Sequence, residues 1–146
     1  MPTLRYPVSQ AGLTLPVIVG LNGADTSALV TAGKPVPAPI GVQGEIDTGS
    51  NVTAISPWVF QKLGLSSPGR SSTQTASGQV SVNLYEVSLA VLQISHQYHP
   101  SLTLPSVLVC ELAITLPGVD VLIGLNVLLH CKLILDGPAG VFSLEF

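Results

Sequence analysis

One carboxylate, Asp47, occupies a short polar turn between two strand-like runs in the stretch Gly44-Glu-Ile-Asp-Thr-Gly-Ser-Asn-Val-Thr-Ala-Ile55. Ile46 before the turn and Val52 after it favour β-strands. Gly49 permits backbone conformations that a side chain would forbid, and it lets another chain or a ligand approach closely. A carboxylate held rigidly at a strand end is suited to proton transfer, that is, to general acid-base chemistry.

A second informative segment lies far along the chain, where Val121-Leu-Ile-Gly-Leu-Asn-Val-Leu-Leu129 combines a hydrophobic run, a glycine and a short helix-like stretch. Together with Asp47-Thr48-Gly49, this segment resembles the paired motifs of single-lobed, retropepsin-like aspartic proteases. In that family the hydrophobic-Gly segment packs beside the Asp-Thr-Gly turn. The order and spacing of the two motifs fit, and the resemblance covers residues 40–146 well and the first 40 only loosely.

The resemblance implies specific roles for the turn residues. Asp47 would be the catalytic carboxylate, and Thr48 would form hydrogen bonds across a subunit interface. Gly49 would leave room for substrate and water, while Ser50 matches the position that supports the carboxylate in many members. The late motif would be formed by Ile123, Gly124 and Asn126.

The resemblance also implies a homodimer that cleaves peptides. A lone carboxylate cannot both deprotonate water and protonate a carbonyl oxygen, whereas two adjacent carboxylates that share a proton can. The chain supplies one complete motif, because Asp136, in Leu135-Asp136-Gly137-Pro138, lacks the motif and lies beyond the hydrophobic-Gly segment. The Asp25-Thr26-Ser27 stretch lacks the glycine and the apolar flanks. A symmetric dimer would place Asp47 of each chain on the two-fold axis.

Length and composition restrict the alternatives. The 146 residues suit a single domain spanning 1–146, too short for two lobes. Only 9% of residues are charged, and five Lys and Arg form no basic stripe that would indicate nucleic-acid binding. The hydrophobic share of 47% favours an oligomer or an apolar groove. Neither a metal nor another cofactor is indicated.

The fold expected is all-β: a closed, acid-protease-like barrel of one lobe with one or two short helices and a flap hairpin. Twelve Pro, fourteen Gly and many Val, Thr and Leu favour short strands joined by turns. No apolar run reaches the ~18 residues of a membrane span. Cys110 and Cys131 in apolar surroundings favour a reducing cytoplasm.

The N-terminal region has two interpretations. Arg5 followed by the apolar stretch 11–21 resembles a short signal peptide, but the alternation from Leu13 onward and the interruption by Pro16 favour a strand. Asn22-Gly23 indicates a turn. The proline-rich stretch Ala24 to Pro39 is then expected to be an exposed loop.

The polar stretch Ser66 to Ser81 matches the position of the flap, a mobile hairpin that closes over bound peptide in the family. Its tip would be Ala76, Ser77 and Gly78, and the alternative is an ordinary surface hairpin. His96 and His99 invite a metal hypothesis, but no further ligand lies nearby, which favours an exposed turn.

Two further elements are expected from local patterns. Ser56-Pro57 indicates the start of a short helix that ends at Gly64, with Trp58 as a core anchor rather than a ligand platform. Val141 to Phe146 alternates as a strand. It would either contribute to an intersubunit sheet, as the family resemblance implies, or form an edge strand within one subunit.

One residue departs from the viral pattern, because Leu125 stands where viral members carry Arg after the glycine of the late motif. This departure favours a cellular or bacterial relative and makes viral-style dimer contacts less expected. The alternative function is a catalytically silent peptide-binding or dimerisation domain of the same fold.

Overall fold

The fold was analysed in a computed structural model, which describes residues 1–66, 69–75, 78–93 and 101–146. Its ten strands are β1 Thr3–Pro7, β2 Thr14–Leu21, β3 Ile40–Ile46, β4 Thr53–Ile55, β5 Gly69–Thr75, β6 Gly78–Val91, β7 Leu102–Glu111, β8 Val121–Ile123, β9 Lys132–Asp136 and β10 Val141–Glu145. Its three helices are α1 Gly23–Thr31, α2 Pro57–Lys62 and α3 Leu125–Leu128. The described chain is therefore mainly β, as the sequence predicts.

A closed barrel forms the centre of the molecule. Its strands follow the order β2-β3-β8-β4-β7-β6, and pairing of β6 with β2 closes the ring. Most neighbours are antiparallel, but β3 pairs with β8 and β4 with β7 in parallel. The predicted one-lobed acid-protease barrel is confirmed.

Alternating side chains of the barrel strands fill its interior. Leu15, Val17 and Val19 of β2 are at most 1% exposed. They belong to one core cluster with fully buried residues of β6 and β7, namely Val87, Leu89, Val91 and Val109. This period-two pattern is what a strand with one face in a core requires. Phe60 of α2 closes one side of the core by stacking on Tyr85, with ring centroids 3.8 Å apart.

A separate three-stranded sheet has the order β1-β10-β9. Tyr6 and Phe142 stack on its buried face at a centroid distance of 5.1 Å. The Tyr6 hydroxyl donates to the Leu92 carbonyl at 2.6 Å, which connects this sheet to the barrel, and burial raises the Tyr6 pKa. The C-terminal β10 is the central strand of this sheet rather than an edge strand, and both its neighbours belong to the same chain.

The expected exposed loop at residues 24–39 is wrong for its first half, which forms α1. Asn22 does not make the predicted turn with Gly23. Its side chain instead accepts a hydrogen bond from the Asp25 N–H at 2.8 Å and so caps the helix. The helix has no buried residue, so this segment is exposed as expected. Asn22 is 6% exposed and also donates to the Glu86 carbonyl.

The predicted helix at Ser56-Pro57 is confirmed and is followed by Gly64 at φ +70°. The predicted core role of Trp58 is wrong, because this side chain is 41% exposed. Its indole N–H donates to Asp120 Oδ1 at 2.8 Å, so the ring lies on the surface of α2 while Val59 and Phe60 enter the core.

The described part of the chain contains no helix that is long and apolar enough to span a membrane.

Candidate active site

The Asp47 turn begins where β3 ends. The Asp47 N–H donates to the Ile123 carbonyl at 2.9 Å, which continues the parallel pairing of β3 with β8 by one residue. The Asp47 carbonyl then accepts from the Ser50 N–H at 3.2 Å and closes a tight turn. The predicted early and late motifs are therefore brought side by side by adjacent parallel strands.

The carboxylate of Asp47 is oriented within its own turn. Asp47 Oδ1 accepts a hydrogen bond from the Gly49 N–H at 3.0 Å. A Cβ added at Gly49 would lie 3.3 Å from the same oxygen, so a side chain there would crowd the carboxylate. Asp47 is half-buried, whereas Thr48 and Gly49 are exposed. The turn thus presents its tip outward.

The predicted support of the carboxylate by Ser50 is not what the structure shows. The Ser50 hydroxyl donates to the Val52 carbonyl at 2.8 Å. A hydroxyl has one proton to donate, so this bond uses it within the backbone that leaves the turn. Ser50 therefore stabilises the exit of the turn toward β4.

The N-terminus of α3 forms hydrogen bonds with the backbone of the Asp47 turn. The Leu125 N–H donates to the Ser50 carbonyl at 2.8 Å, and the Asn126 N–H donates to the Asn51 carbonyl at 3.1 Å. The first N–H groups of a helix lack partners within the helix. Here the backbone of the Asp47 turn supplies acceptors for two of them.

Thr53 and Asn126 form a buried polar link between the two motifs. Asn126 Oδ1 accepts from both the backbone N–H and the hydroxyl of Thr53, each at 2.9 Å. The Gly124 N–H donates to Thr53 Oγ1 at 3.0 Å, and Asn126 Nδ2 donates to the Leu108 carbonyl at 2.7 Å. Thr53 is fully buried. These bonds fix Asn126 in one orientation and connect β4, β7 and α3.

Sequence reasoning missed two members of this region. Thr53 carried a signal, since it is a polar residue in a short strand whose other residues are apolar. Asp120, directly before the hydrophobic-Gly segment, binds Trp58 through its side chain, and its carbonyl accepts from the Ser56 N–H at 2.8 Å. These contacts hold α2 against the start of β8.

The predicted flap coincides with the β5–β6 hairpin, whose register pairs Thr75 with Gly78. Gly78 has φ +119°, a value that favours glycine at a turn. Ala76 and Ser77 lie outside the described residues, as do His96 and His99. Among the described residues no three His, Cys, Asp or Glu side chains form a group that could hold a metal ion.

Two surface grooves of the described structure do not include Asp47. The larger, of about 530 Å³, lies between α1 and the end of α2, and the smaller, of about 380 Å³, lies between residues 37–41 and Trp58. The tip of the Asp47 turn, formed by Thr48 and Gly49, is exposed.

Comparisons with known proteins agree with this geometry. A retropepsin-like aspartic protease from Rickettsia conorii has a similar structure, with a TM-score of 0.58 over 97% of this chain and 89% of the other. The two sequences are 14% identical, so this likeness concerns the fold alone. No curated protein matches the sequence. The family model described as aspartyl protease matches residues 19–127, a span that contains both motifs, and the chain therefore belongs to the aspartyl protease family.

Proposed function

We propose that the chain is an aspartic endopeptidase that acts as a homodimer, with Asp47 of each subunit forming the catalytic pair. The observation that carries this proposal is the Asp47 turn itself. The Asp47 carboxylate accepts a hydrogen bond from the Gly49 N–H, and the backbone of the turn accepts hydrogen bonds from the N-terminus of α3. The tip of the turn is exposed. Residues 1–146 of each subunit would act as one domain that contains one such turn.

In the dimer, two carboxylates about 3 Å apart cannot both be ionised, so they share one proton. The ionised carboxylate removes a proton from a bound water, whose oxygen forms a bond to the peptide carbonyl carbon. The other carboxylic acid gives its proton to the carbonyl oxygen, which gives a neutral tetrahedral gem-diol. Proton transfer to the amide nitrogen and return of a hydroxyl proton to the pair then allow the C–N bond to break.

The turn residues would have supporting roles in this reaction. Thr48 is exposed beside Asp47 and would form hydrogen bonds with the partner subunit across the two-fold axis. The β5–β6 hairpin would cover an extended peptide and bind its backbone as an added strand would. Gly78 would lie at the tip of this flap, next to Ala76 and Ser77.

The state of the two cysteines favours a cytoplasmic setting. Cys110 and Cys131 are both unpaired, and burial raises the pKa of both thiols. A raised thiol pKa leaves little thiolate, which makes both groups poor nucleophiles, and free thiols are typical of reducing compartments. We therefore place the enzyme in the cytoplasm, with self-association and peptide binding as its interactions.

Replacing Asp47 by Asn tests the function. Asp47→Asn keeps the shape of the side chain and an oxygen that can accept from Gly49, but it removes the proton exchange. We expect peptide cleavage to fall by roughly 10²- to 10⁴-fold with an unchanged unfolding transition. The matched control is Asp25→Asn in the look-alike Asp25-Thr26-Ser27 stretch on α1, which should leave cleavage unchanged.

The pH dependence provides a second readout. At high pH the pair loses its shared proton and cannot protonate the carbonyl, and at low pH no base remains. Cleavage of a peptide library should therefore follow a bell-shaped profile on the acidic side of neutrality. If the wild-type protein binds peptides but cleaves none between about pH 3 and 7, the catalytically silent binding domain becomes the better account.

A further inference from the structure

The first part of β3 has an open edge. The Ile46 N–H donates to the Leu13 carbonyl at 2.9 Å, which shows that Ile46 directs its backbone groups toward β2. Backbone groups alternate in direction along a strand, so Gln43 and Gly41 direct theirs toward the opposite side. The Gln43 carbonyl accepts from the Asp120 N–H at 3.0 Å on that side, in agreement with this alternation.

Among the described strands, none lies beside Gly41 on this outer side. β8 begins at Val121, opposite Gly44, and pairs with β3 only from there to Ile46. The N–H and C=O of Gly41 therefore face the smaller groove, of about 380 Å³, instead of a strand. Gly41 is exposed and has no side chain, so its contribution to the groove lining is backbone.

One wall of this groove belongs to a rigid extended segment, residues 34–39. Every residue of the segment is a proline or directly precedes one. Proline fixes its own φ and disfavours the helical region for the residue before it, so the segment is restricted to extended or polyproline II backbone. Pro39 packs beside β2, because a Cβ at Gly20 would lie 3.6 Å from two carbons of its ring. The groove is therefore preformed on this side, at Pro37, Ala38 and Pro39.

The other wall carries an aromatic ring and a positive charge. Trp58 and Lys62 lie four residues apart on one face of α2, and both line the groove. The hydrogen bond to Asp120 orients the Trp58 ring, which is 41% exposed. The Lys62 ammonium lies 6.0 Å from the centre of that ring, and it forms no ion pair with a described residue. An apolar surface and an unpaired positive charge thus lie across the groove from the open backbone of β3.

We propose that this groove is a second peptide-binding site, which takes an extended segment with an acidic side chain among apolar ones. The segment bonds to the Gly41 N–H and C=O as an added strand does, and its apolar side chains cover the Trp58 ring. Its carboxylate pairs with Lys62, which is the one charged residue among the described residues that line the groove.

The groove lies away from the Asp47 turn. Asp47 follows Gly41 by six residues along β3 and its continuation, and a strand rises about 3.3 Å per residue, so roughly 20 Å separate the two. A peptide in the groove leaves the turn free for another segment of the same protein. Binding at the groove therefore does not depend on cleavage at Asp47.

Tryptophan fluorescence tests the groove directly, because Trp58 is the only tryptophan of the chain. The probes are acetylated and amidated pentapeptides of Val and Thr with Glu at one position, added to the Asp47→Asn variant so that none is cleaved. A bound peptide shields the indole from water, so the emission should shift to shorter wavelength and saturate below about 1 mM for at least one probe. The absence of a saturable shift with Glu at every position would overturn the proposal.

A double-mutant cycle tests the charge pairing. Lys62→Gln, or replacement of the peptide Glu by Gln, should weaken binding by roughly two- to fivefold, the range for an exposed ion pair. If the two groups are in contact, both changes together should weaken binding no more than either one alone. Equal effects of Lys62→Gln on the Glu and Gln peptides would overturn the pairing.

Lys34→Gln is the matched control for this cycle. Lys34 is also exposed, but it lines the larger groove instead. Its replacement should leave the affinity for the Glu peptide unchanged. A loss of affinity as large as that of Lys62→Gln would mean that the chain attracts acidic peptides only through its overall charge, which would contradict a site at Trp58.

Competition separates the groove from the Asp47 turn. A saturating statine-type inhibitor should leave the emission shift of the wild-type protein unchanged, whereas displacement of the probe would place the peptide at the turn and overturn the proposal. Saturable, Lys62-dependent binding by a protein that cleaves no peptide would support the groove and count against the peptidase alone. Unfolding transitions of every variant confirm that the chains compared are folded.

Discussion

At the residue scale, Gly124 shows how closely the two motifs are packed. A Cβ at this position would lie 2.8 Å from the Ser50 carbonyl oxygen and from the Val52 carbonyl carbon, and 3.0 Å from the Thr53 nitrogen. All three atoms belong to the backbone and cannot move aside as a flexible side chain could. The glycine of the late motif is therefore required by the close approach of α3 to the end of the Asp47 turn.

Gly124→Ala is expected to displace α3 from the turn. Overpacking of this kind costs about 1–3 kcal/mol in the free energy of unfolding. We expect cleavage to fall further than stability alone explains, because the bonds that hold the Asp47 turn lengthen. Chemical denaturation and peptide cleavage measure the two effects.

Gly41→Ala is the matched control for this substitution. An added Cβ there meets no atom within 4 Å, and Gly41 lies in β3, where alanine fits the backbone. Stability should stay the same or rise slightly, with unchanged cleavage. If Gly124→Ala behaves like Gly41→Ala, the close packing of α3 on the turn is not needed for activity.

At the scale of elements, β5 and β6 form a hairpin that reaches beyond the barrel. β6 is fourteen residues long, and its second half pairs with β2 and β7 while its first half pairs with β5. β5 itself has one neighbour among the described strands. A hairpin extending from a rigid barrel in this way is suited to open and close over a peptide.

Hydrogen exchange tests the flap at the described residues of this hairpin. Amides of residues 72–75 and 78–80 should exchange quickly in the free protein and slowly with a statine-type inhibitor, which resembles the tetrahedral intermediate. Amides of residues 142 and 144 in β10 should be slow in both states, since they lie in a buried central strand. Unchanged exchange in the hairpin at saturating inhibitor would contradict a closing flap.

At the scale of the whole molecule, the proposed catalytic pair would make activity depend on both subunits. Mixing wild-type chains with an equal amount of Asp47→Asn chains under exchange conditions should reduce activity per wild-type chain to about one half, because half of the wild-type chains then pair with an inactive partner. Peptide cleavage at fixed wild-type concentration measures this effect.

Addition of Asp25→Asn chains in place of Asp47→Asn chains is the control for this mixing experiment. These chains keep an intact Asp47 turn, so total activity should rise with the amount added. Activity per wild-type chain that is unaffected by Asp47→Asn, although sedimentation shows mixed dimers, would mean that each subunit has a complete site of its own.

The sequence by itself was sufficient for the features that depend on local patterns. The alternation in β2, β6 and β10 identified strands because a half-buried strand needs a period of two. Ser56-Pro57 and Gly64 marked the limits of α2, since their backbone preferences act locally. The Asp47 turn was found from its residue types, and the Gly124 segment from its resemblance to the second motif of the family.

The tertiary structure decided what depends on contacts between distant residues. Trp58 has the spacing of a core residue, yet Asp120, 62 positions later, holds it at the surface. α1 formed where prolines indicated a loop, because Asn22 caps the helix. The Asn22 side chain accepts a hydrogen bond from the Asp25 N–H in the first turn of α1, and it also donates to the Glu86 carbonyl in the barrel strand β6. β1 was not foreseen at all, and β10 became a central strand because β1 pairs with it from the other end of the chain. Such contacts depend on which strand edges and which faces of the elements meet in the folded chain, and no local sequence pattern encodes them.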